Sequence, residues 1–289
     1  MVTKTVDSYH FDKLEETIAK LNEEDCTIIA GGTDVMVLHK SRRGVAPKIA
    51  GPVVFIDHLS ELKQTYLAEG NLHIGACCTY GEMLEHSLIP SVFKKAIREV
   101  AAPAIRNRGT IGGNICNASP AGDMLPLLYI FNAKLVLRSF LGDRIVEIHD
   151  FIQGPRRIAR QQNELLVEVI LPDVVDEEST YLVFEKIANR QADAISKVSF
   201  AGLLQVKDGK VADARFAFGA VGPTMVRSLE IEKKLLAKGY PLRAEVLEEV
   251  VADFSSVINP IDDQRSTAYY RETVALKLLR YFLTSKELS

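Results

Sequence analysis

The most distinctive part of this sequence is the stretch Thr110-Ile111-Gly112-Gly113-Asn114, which Ala118-Ser119-Pro120-Ala121-Gly122-Asp123 closely follows. An earlier glycine pair lies in Ala30-Gly31-Gly32-Thr33-Asp34, directly after a short apolar run. Glycine permits a positive φ and lets a ligand approach the backbone without a Cβ in the way. Successive N–H groups in such a turn form a site for an anion. Two such turns, at 31–33 and 109–114, could hold a diphosphate from opposite sides, with a threonine hydroxyl as a further donor in each.

Each glycine pair taken alone also fits a tight turn with no ligand. The common nucleotide motifs are missing: no Gly-x-Gly-x-x-Gly follows a strand, and no Gly-x-x-x-x-Gly-Lys-Ser/Thr occurs. Neither Gly-x-Ser-x-Gly nor His-Glu-x-x-His is present. Both glycine pairs together, with Asn114 and Asp123 nearby, favour a dinucleotide bound in another way.

Composition excludes several classes of protein. The chain has 289 residues, of which 47% are hydrophobic and 25% charged, so it can bury a core and is long enough for two domains. Its net charge of −3 lacks the positive excess typical of nucleic-acid binders. The apolar run from Met124 to Phe131 is far shorter than the ~20 residues of a membrane span. Residues 1–10 carry no apolar signal region, and we predict a cytoplasmic protein.

The cysteines and histidines predict no metal centre in this chain. Its four cysteines form no Cys-x-x-Cys pair, and its six histidines are scattered. A disulfide framework is not expected in a chain with a core of its own. We therefore predict neither a metal site nor a catalytic residue here.

Hydrophobic patterns predict an α+β protein in two parts. Before residue 172, helices and strands are mixed. Thr79 and Glu82 predict a capping box at the start of one helix, a second helix is predicted from about Ser91 to Ala102, and a strand is predicted at Leu165–Leu171. The segment from Pro172 to Ser179 is acidic and aperiodic, and we interpret it as the domain boundary. Strands come first and helices afterwards in the second part, which indicates an α+β layer. The predicted elements of that part are strands at Tyr181–Ile187, Ile195–Val206 and Ala212–Val221 and helices at Val226–Lys238, Leu242–Ile258 and Ser266–Phe282.

These residues resemble a known family, the FAD-binding subunits of the molybdenum hydroxylases, which include xanthine dehydrogenase and carbon monoxide dehydrogenase. The two glycine segments look like the two FAD signatures of that family. The resemblance covers nearly the whole chain. It extends to the segments Ala104–Arg108, Phe184–Lys186 with Arg190 and Asp193, Gly219–Thr224 and Asp263–Tyr270.

The resemblance implies both the fold and the division into domains. An FAD-binding domain of the PCMH/vanillyl-alcohol-oxidase type would occupy residues 1–175, in subdomains of about 1–57 and 58–175. A C-terminal domain of three strands and three helices, like that of the carbon monoxide dehydrogenase flavoprotein, would occupy residues 180–285.

The same resemblance implies the cofactor-binding residues. The first loop, from Ala30 to Val35, and the second, from Thr110 to Asn114, would hold the diphosphate. Asn117, Gly122 and Asp123 would face the adenosine and ribityl part, and Leu165, Leu166 and Lys186 would lie near the flavin ring. The full set is Ile29, Ala30, Gly31, Gly32, Thr33, Asp34, Val35, Thr110, Gly113, Asn114, Cys116, Asn117, Gly122, Asp123, Leu165, Leu166 and Lys186.

Several of these residues also have a purely structural explanation. Asp34 and Asp123 could each cap the helix that follows. Lys186 could be an ordinary strand lysine. Cys116 could attach the flavin covalently, but a small buried thiol is the more common role of a free cysteine. Arg190 with its neighbour Asp193 could be a surface ion pair.

The function implied by the resemblance is electron transfer within a multi-subunit oxidoreductase. A molybdopterin-binding large subunit and a [2Fe–2S] small subunit would supply electrons to FAD, and NAD would be one acceptor. The alternative is a self-sufficient FAD-dependent dehydrogenase of the same wider fold, for which the sequence offers no convincing substrate-side base. The chain carries no four-cysteine insertion, which disfavours the branch of the family with an additional iron–sulfur cluster.

Overall fold

The computed structural model describes residues 6–40, 49, 51–172, 179–190 and 193–285. The chain begins with a small parallel sheet of strand order β1-β3-β2. Its helix α1 buries Leu14, Ile18 and Leu21, as their spacing predicts. The elements of this layer are β1 (Ser8–Tyr9), α1 (Leu14–Glu23), β2 (Thr27–Ile29), α2 (Val35–Leu38) and β3 (Val53–Phe55).

A five-stranded antiparallel sheet of order β4-β5-β10-β6-β7 forms the centre of the first half. A short 3₁₀ turn, Ser60–Leu62, leads into it. Its central strand is apolar except at Glu168, because both of its faces are covered. The strands are β4 (Thr65–Ala68), β5 (Asn71–Gly75), β6 (Lys134–Ser139), β7 (Gly142–Glu147) and β10 (Leu165–Leu171).

Six helices lie between these strands, and a small hairpin precedes β10. Helix α3 begins with the predicted capping box, in which Thr79 Oγ1 accepts from Glu82 N at 3.1 Å and the Glu82 carboxylate accepts from Thr79 N at 2.7 Å. The elements are α3 (Tyr80–Glu85), α4 (Ser91–Glu99), α5 (Pro103–Arg106), α6 (Ile111–Asn117), α7 (Leu125–Ile130), α8 (Ile148–Phe151), β8 (Ile152–Gly154) and β9 (Arg157–Ile158).

The C-terminal part is a three-stranded antiparallel sheet of order β11-β12-β13 that is covered by three helices. This arrangement confirms the predicted α+β class and the predicted succession of strands and helices. The elements are β11 (Tyr181–Ile187), β12 (Val198–Lys207), β13 (Lys210–Gly219), α9 (Leu229–Leu235), α10 (Ala244–Val257) and α11 (Ala268–Leu283).

Three hydrophobic cores hold these layers together. One lies between the parallel sheet and the five-stranded sheet, and a second lies within the C-terminal part. The largest covers the opposite face of the five-stranded sheet and includes Phe184, Leu203 and Ala217 of the C-terminal sheet. The two halves therefore share buried apolar surface.

Some predicted elements differ in extent. The helix expected to run from Ser91 to Ala102 ends at Glu99, and the one expected at Val226–Lys238 covers only Leu229–Leu235. Strand β7 was not predicted, because its polar, half-exposed residues lack clear alternation. The proposed boundary between Pro172 and Ser179 lies largely outside the described residues. Within the described part of the chain, every helix is too short or too polar to cross a membrane.

Candidate functional site

A cleft of about 580 Å³ lies between the parallel sheet and the five-stranded sheet, within the usual size range of cofactor sites. Both glycine segments line it, although 78 residues separate Gly31 from Gly109 in the chain. Fourteen of the seventeen predicted residues line the cleft: Ile29, Ala30, Gly31, Gly32, Thr33, Asp34, Val35, Thr110, Gly113, Asn114, Cys116, Asn117, Leu165 and Leu166.

The first glycine segment is a tight turn between β2 and α2. Gly32 has φ +73°, a conformation that favours glycine. A Cβ on Gly31 would lie 1.7 Å from the carbonyl oxygen of Arg108, so the two segments are in contact only because this residue has no side chain. Among the described residues, the N–H groups of Gly32 and Thr33 have no hydrogen-bond partner. They remain available to a ligand.

The second glycine segment is not a turn, which corrects the sequence interpretation. Its glycines belong to the first turns of α6, and Thr110 is the N-cap residue. Gly112 N donates to Ala76 O at 2.9 Å and Gly113 N to Thr110 Oγ1 at 3.1 Å, so both amides have partners within the chain. Glycine is needed here for close packing, since a Cβ on Gly112 would lie 2.7 Å from Ala76.

Polar side chains connect the two segments across the cleft. Asn117 Nδ2 donates to Asp34 Oδ2 at 3.2 Å. Asp34 is the N-cap residue of α2, but its side chain makes no capping hydrogen bond, so capping does not explain this carboxylate. On the outside, Arg108 forms an ion pair with Asp57 at 3.1 Å.

Part of the cleft lining is apolar. Leu165 and Leu166, the first residues of β10, line it together with Val100, Ile105 and Ile158. Such a surface suits an aromatic ring system, whereas the glycine turn suits a charged group. The cleft therefore has both polar and apolar lining, as a bound dinucleotide requires.

Gly122, Asp123 and Lys186 do not line the cleft within the described structure. Lys186 Nζ donates to Asp123 Oδ2 at 2.6 Å and to the carbonyl oxygen of Glu99 at 2.8 Å. Glu99 directly precedes Val100 of the lining, so the lysine lies behind the cleft wall. Asp123 does not cap α7, whose N-cap residue is Met124. Contacts of these three residues with a cofactor stay predictions.

Cys116 lines the cleft, and burial raises the pKa of its thiol to about 11. A thiol in this state is a poor nucleophile at neutral pH. Arg160, also in the lining, donates to the carbonyl oxygens of Gln162 and Glu164. Arg190 and Asp193 form an exposed ion pair at 3.3 Å, as the structural explanation of these residues predicts.

Sequence reasoning missed twelve of the 28 residues that line the cleft. Most of the missed residues are apolar, and an apolar residue carries no local signal of a binding site. Tyr80 is the exception, since the capping box beside it fixes its position. The missed residues are Cys26, Thr27, Ile28, Leu38, Ile56, Ala76, Tyr80, Val100, Ala101, Ile105, Ile158 and Arg160.

Two buried polar atoms in the lining have no hydrogen-bond partner in the described structure: the hydroxyl of Tyr80 and Oδ1 of Asn114. Buried polar groups in proteins are nearly always satisfied, so unsatisfied atoms in a cleft indicate a ligand. Together with the free amides and the apolar part of the lining, these atoms fit a dinucleotide cofactor.

Comparison with known proteins gives the family. Residues 4–174 match the model of the FAD binding domain in molybdopterin dehydrogenase. Residues 184–285 match that of the CO dehydrogenase flavoprotein C-terminal domain.

Individual relatives match over most of their length. The glyceraldehyde dehydrogenase medium chain of Sulfolobus acidocaldarius is 31% identical over 270 residues, covering 91% of this chain and 92% of that one. The xanthine dehydrogenase FAD-binding subunit of Escherichia coli is 32% identical and covers 84% and 82%. The structure of CO dehydrogenase from Oligotropha carboxidovorans superposes with a TM-score of 0.86 at 25% identity, covering 97% and 96%.

The family models cover both halves of the chain, and the cleft lies within the matched FAD-binding domain. Its cofactor is FAD. The chain belongs to the FAD-binding medium subunits of the molybdenum hydroxylases, and it is an oxidoreductase subunit.

Proposed function

We propose that this chain transfers electrons from the iron–sulfur clusters of a partner subunit to NAD or another acceptor. The observation that carries this proposal is the match of both domains to flavoprotein subunits, with relatives named medium chain or FAD-binding subunit over more than four fifths of this chain. When bound, FAD supplies redox chemistry in steps of one or two electrons.

The chain itself would bind and orient the cofactor. The amides of Gly32 and Thr33 would hold the diphosphate, while Leu165 and Leu166 would exclude water from one side of the ring system. This assignment is supported by the cleft lining, which includes both the glycine turn and the first two residues of β10. The three predicted residues outside the lining, Gly122, Asp123 and Lys186, would act by supporting the wall of the cleft or after its closure on the cofactor.

The proposed partners are a molybdopterin-binding large subunit and a [2Fe–2S] small subunit. The relatives that support this inference are described as subunits or medium chains of xanthine and glyceraldehyde dehydrogenases. We also propose the domain division into 1–175, with subdomains of about 1–57 and 58–175, and 180–285. The three larger sheets, each within one of these parts, support it.

The experiment is anaerobic mixing of the isolated flavoprotein with electron donors while flavin absorbance is followed. NADH or an artificial dye should exchange electrons with the isolated chain. A heterocyclic substrate, such as a purine or nicotinate, should reduce the flavin only after molybdenum and iron–sulfur partner subunits are added.

One result would contradict the proposal, and a second would narrow the choice of acceptor. Bleaching by a heterocyclic substrate without a partner would support the self-sufficient dehydrogenase instead. Reduction by a dye but not by NADH would exclude NAD as the acceptor while leaving electron transfer in place. Dye reduction in the same sample serves as the control that the flavin is accessible.

A further inference from the structure

Helix α3 and the second glycine segment together fix the position of Tyr80 in the cleft. It is the first residue of α3, directly after the cap residue Thr79. Its backbone N–H donates to Gly109 O at 3.0 Å, and Thr79 pairs with Thr110 in an isolated antiparallel bridge. The ring packs in the main core, and only 2% of the residue is exposed.

The hydroxyl of Tyr80 is buried without a hydrogen-bond partner among the described residues, although the residue lines the cleft. Leaving such a group unsatisfied destabilises the folded chain. A phenylalanine at this position would fill the same core without that cost. The tyrosine is therefore explained by a partner for its hydroxyl that the described residues do not supply.

The surroundings decide the role of this hydroxyl. Burial raises the pKa of Tyr80 well above its usual value, and the carboxylates of Asp123 and Asp34 raise it further. The phenol stays protonated at neutral pH and is a hydrogen-bond donor. The Cβ position of Gly109 lies 3.7 Å from Tyr80 Cδ2 and 3.6 Å from Thr33 Oγ1, so the ring stands next to the glycine segments.

We propose that Tyr80 is an FAD-binding residue whose hydroxyl donates a hydrogen bond to an oxygen of the diphosphate–ribityl chain of the cofactor. This inference rests on FAD as the cofactor and on the first glycine turn as its diphosphate site. It does not depend on the electron donor or on the acceptor. It adds a side-chain donor to a site in which the glycine turn offers only backbone amides and a threonine hydroxyl.

The test compares Tyr80→Phe with the wild-type full-length chain in two measurements. The first is the FAD dissociation constant of the apoprotein, measured from the quenching of flavin fluorescence. The second is the Tm of each apoprotein. Tyr80→Phe should weaken FAD binding about 3- to 10-fold if the acceptor is a ribityl oxygen and more than about tenfold if it is a charged diphosphate oxygen. Its apoprotein should have a Tm at least as high as that of the wild type, because an unsatisfied buried hydroxyl is removed.

The opposite signs of these two effects separate a ligand-binding hydroxyl from a structural one. Unchanged FAD affinity would overturn the proposal. A lower Tm of the Tyr80→Phe apoprotein would also overturn it, because the hydroxyl would then have a partner within the chain. Tyr129→Phe is the matched control, since this buried ring lies in α7 outside the cleft lining and its loss of a hydroxyl should leave FAD affinity unchanged. Neither measurement uses turnover, so failure of the proposed electron path would not affect the result.

Discussion

Lys186 Nζ lies 2.6 Å from Asp123 Oδ2, and this ion pair joins the C-terminal sheet to the FAD-binding part of the chain. Only 2% of the lysine side chain and 10% of the aspartate side chain are exposed. Ser196 Oγ donates to the other carboxylate oxygen at 2.5 Å, and the Glu99 carbonyl accepts a second hydrogen bond from the lysine. Both charges are therefore satisfied away from water.

Removing one partner of this pair should destabilise the protein strongly. Burial raises the pKa of Asp123, and Lys186 opposes that effect. Lys186→Met leaves the carboxylate buried without its cation, at a cost of about 3–5 kcal/mol. We expect this loss in the free energy of unfolding, measured with urea, to be larger at pH 8 than at pH 5, where protonation of Asp123 relieves the unpaired charge.

Two further variants test whether the pair causes this effect. Adding Asp123→Asn to Lys186→Met should recover part of the lost stability. Lys95→Met breaks a pair with Glu185 whose side chains are 50% and 42% exposed, and should cost less than about 1 kcal/mol. Similar losses for Lys95→Met and Lys186→Met would contradict a special role of the buried pair.

Gly31→Ala should abolish the close contact between the two glycine segments. Its Cβ would lie 1.7 Å from Arg108 O, so the turn must move away at a strain of about 1–3 kcal/mol. We expect FAD affinity to fall at least about tenfold while far-UV circular dichroism is unchanged. Gly239→Ala is the control, because a Cβ there meets nothing within 4 Å. Full FAD occupancy in Gly31→Ala would exclude this turn from the site.

FAD should be bound without a covalent bond. Cys116 lines the cleft and is the residue that could form such a bond, but burial raises the pKa of its thiol to about 11. Acid precipitation should leave the yellow flavin in the supernatant, for the wild type and for Cys116→Ser alike. Flavin that remains in the wild-type pellet but not in the Cys116→Ser pellet would reveal a covalent link.

Asp263 should make stability depend on pH at the acidic end. Burial alone would raise the pKa of its carboxyl, but hydrogen bonds from Arg265 N, Arg271 and Ser266 N outweigh it and lower the pKa to about 2. Because the folded pKa lies below the unfolded value, the carboxylate stabilises the fold above pH 4, and this contribution disappears as the pH falls toward 2. The difference in unfolding free energy between wild type and Asp263→Asn should therefore shrink between pH 5 and pH 2. A difference that is constant over this range would contradict the prediction.

Local sequence predicted those elements whose apolar residues recur at a regular spacing or form a short continuous run. Strands Tyr181–Ile187 and Leu165–Leu171 have the predicted limits, and the Thr79–Glu82 capping box forms as expected. Strand β7 lacks such a period, because at the edge of the sheet its residues are half-exposed and polar. Gly112 and Gly113 indicated a turn by composition, yet they lie in a helix, since close packing on Ala76 requires glycine as much as a turn does.

The sequence by itself determined the α+β class, the glycine turn at Gly32 and the resemblance to FAD-binding subunits, because each depends on residues close together in the chain. Only the tertiary structure decided which residues surround the cleft. It brought Tyr80 to the second glycine segment and left its hydroxyl without a partner. It also paired Lys186 with Asp123, 63 residues away. Such contacts depend on how distant segments pack and on which polar groups lose water, and neither is a property of local sequence.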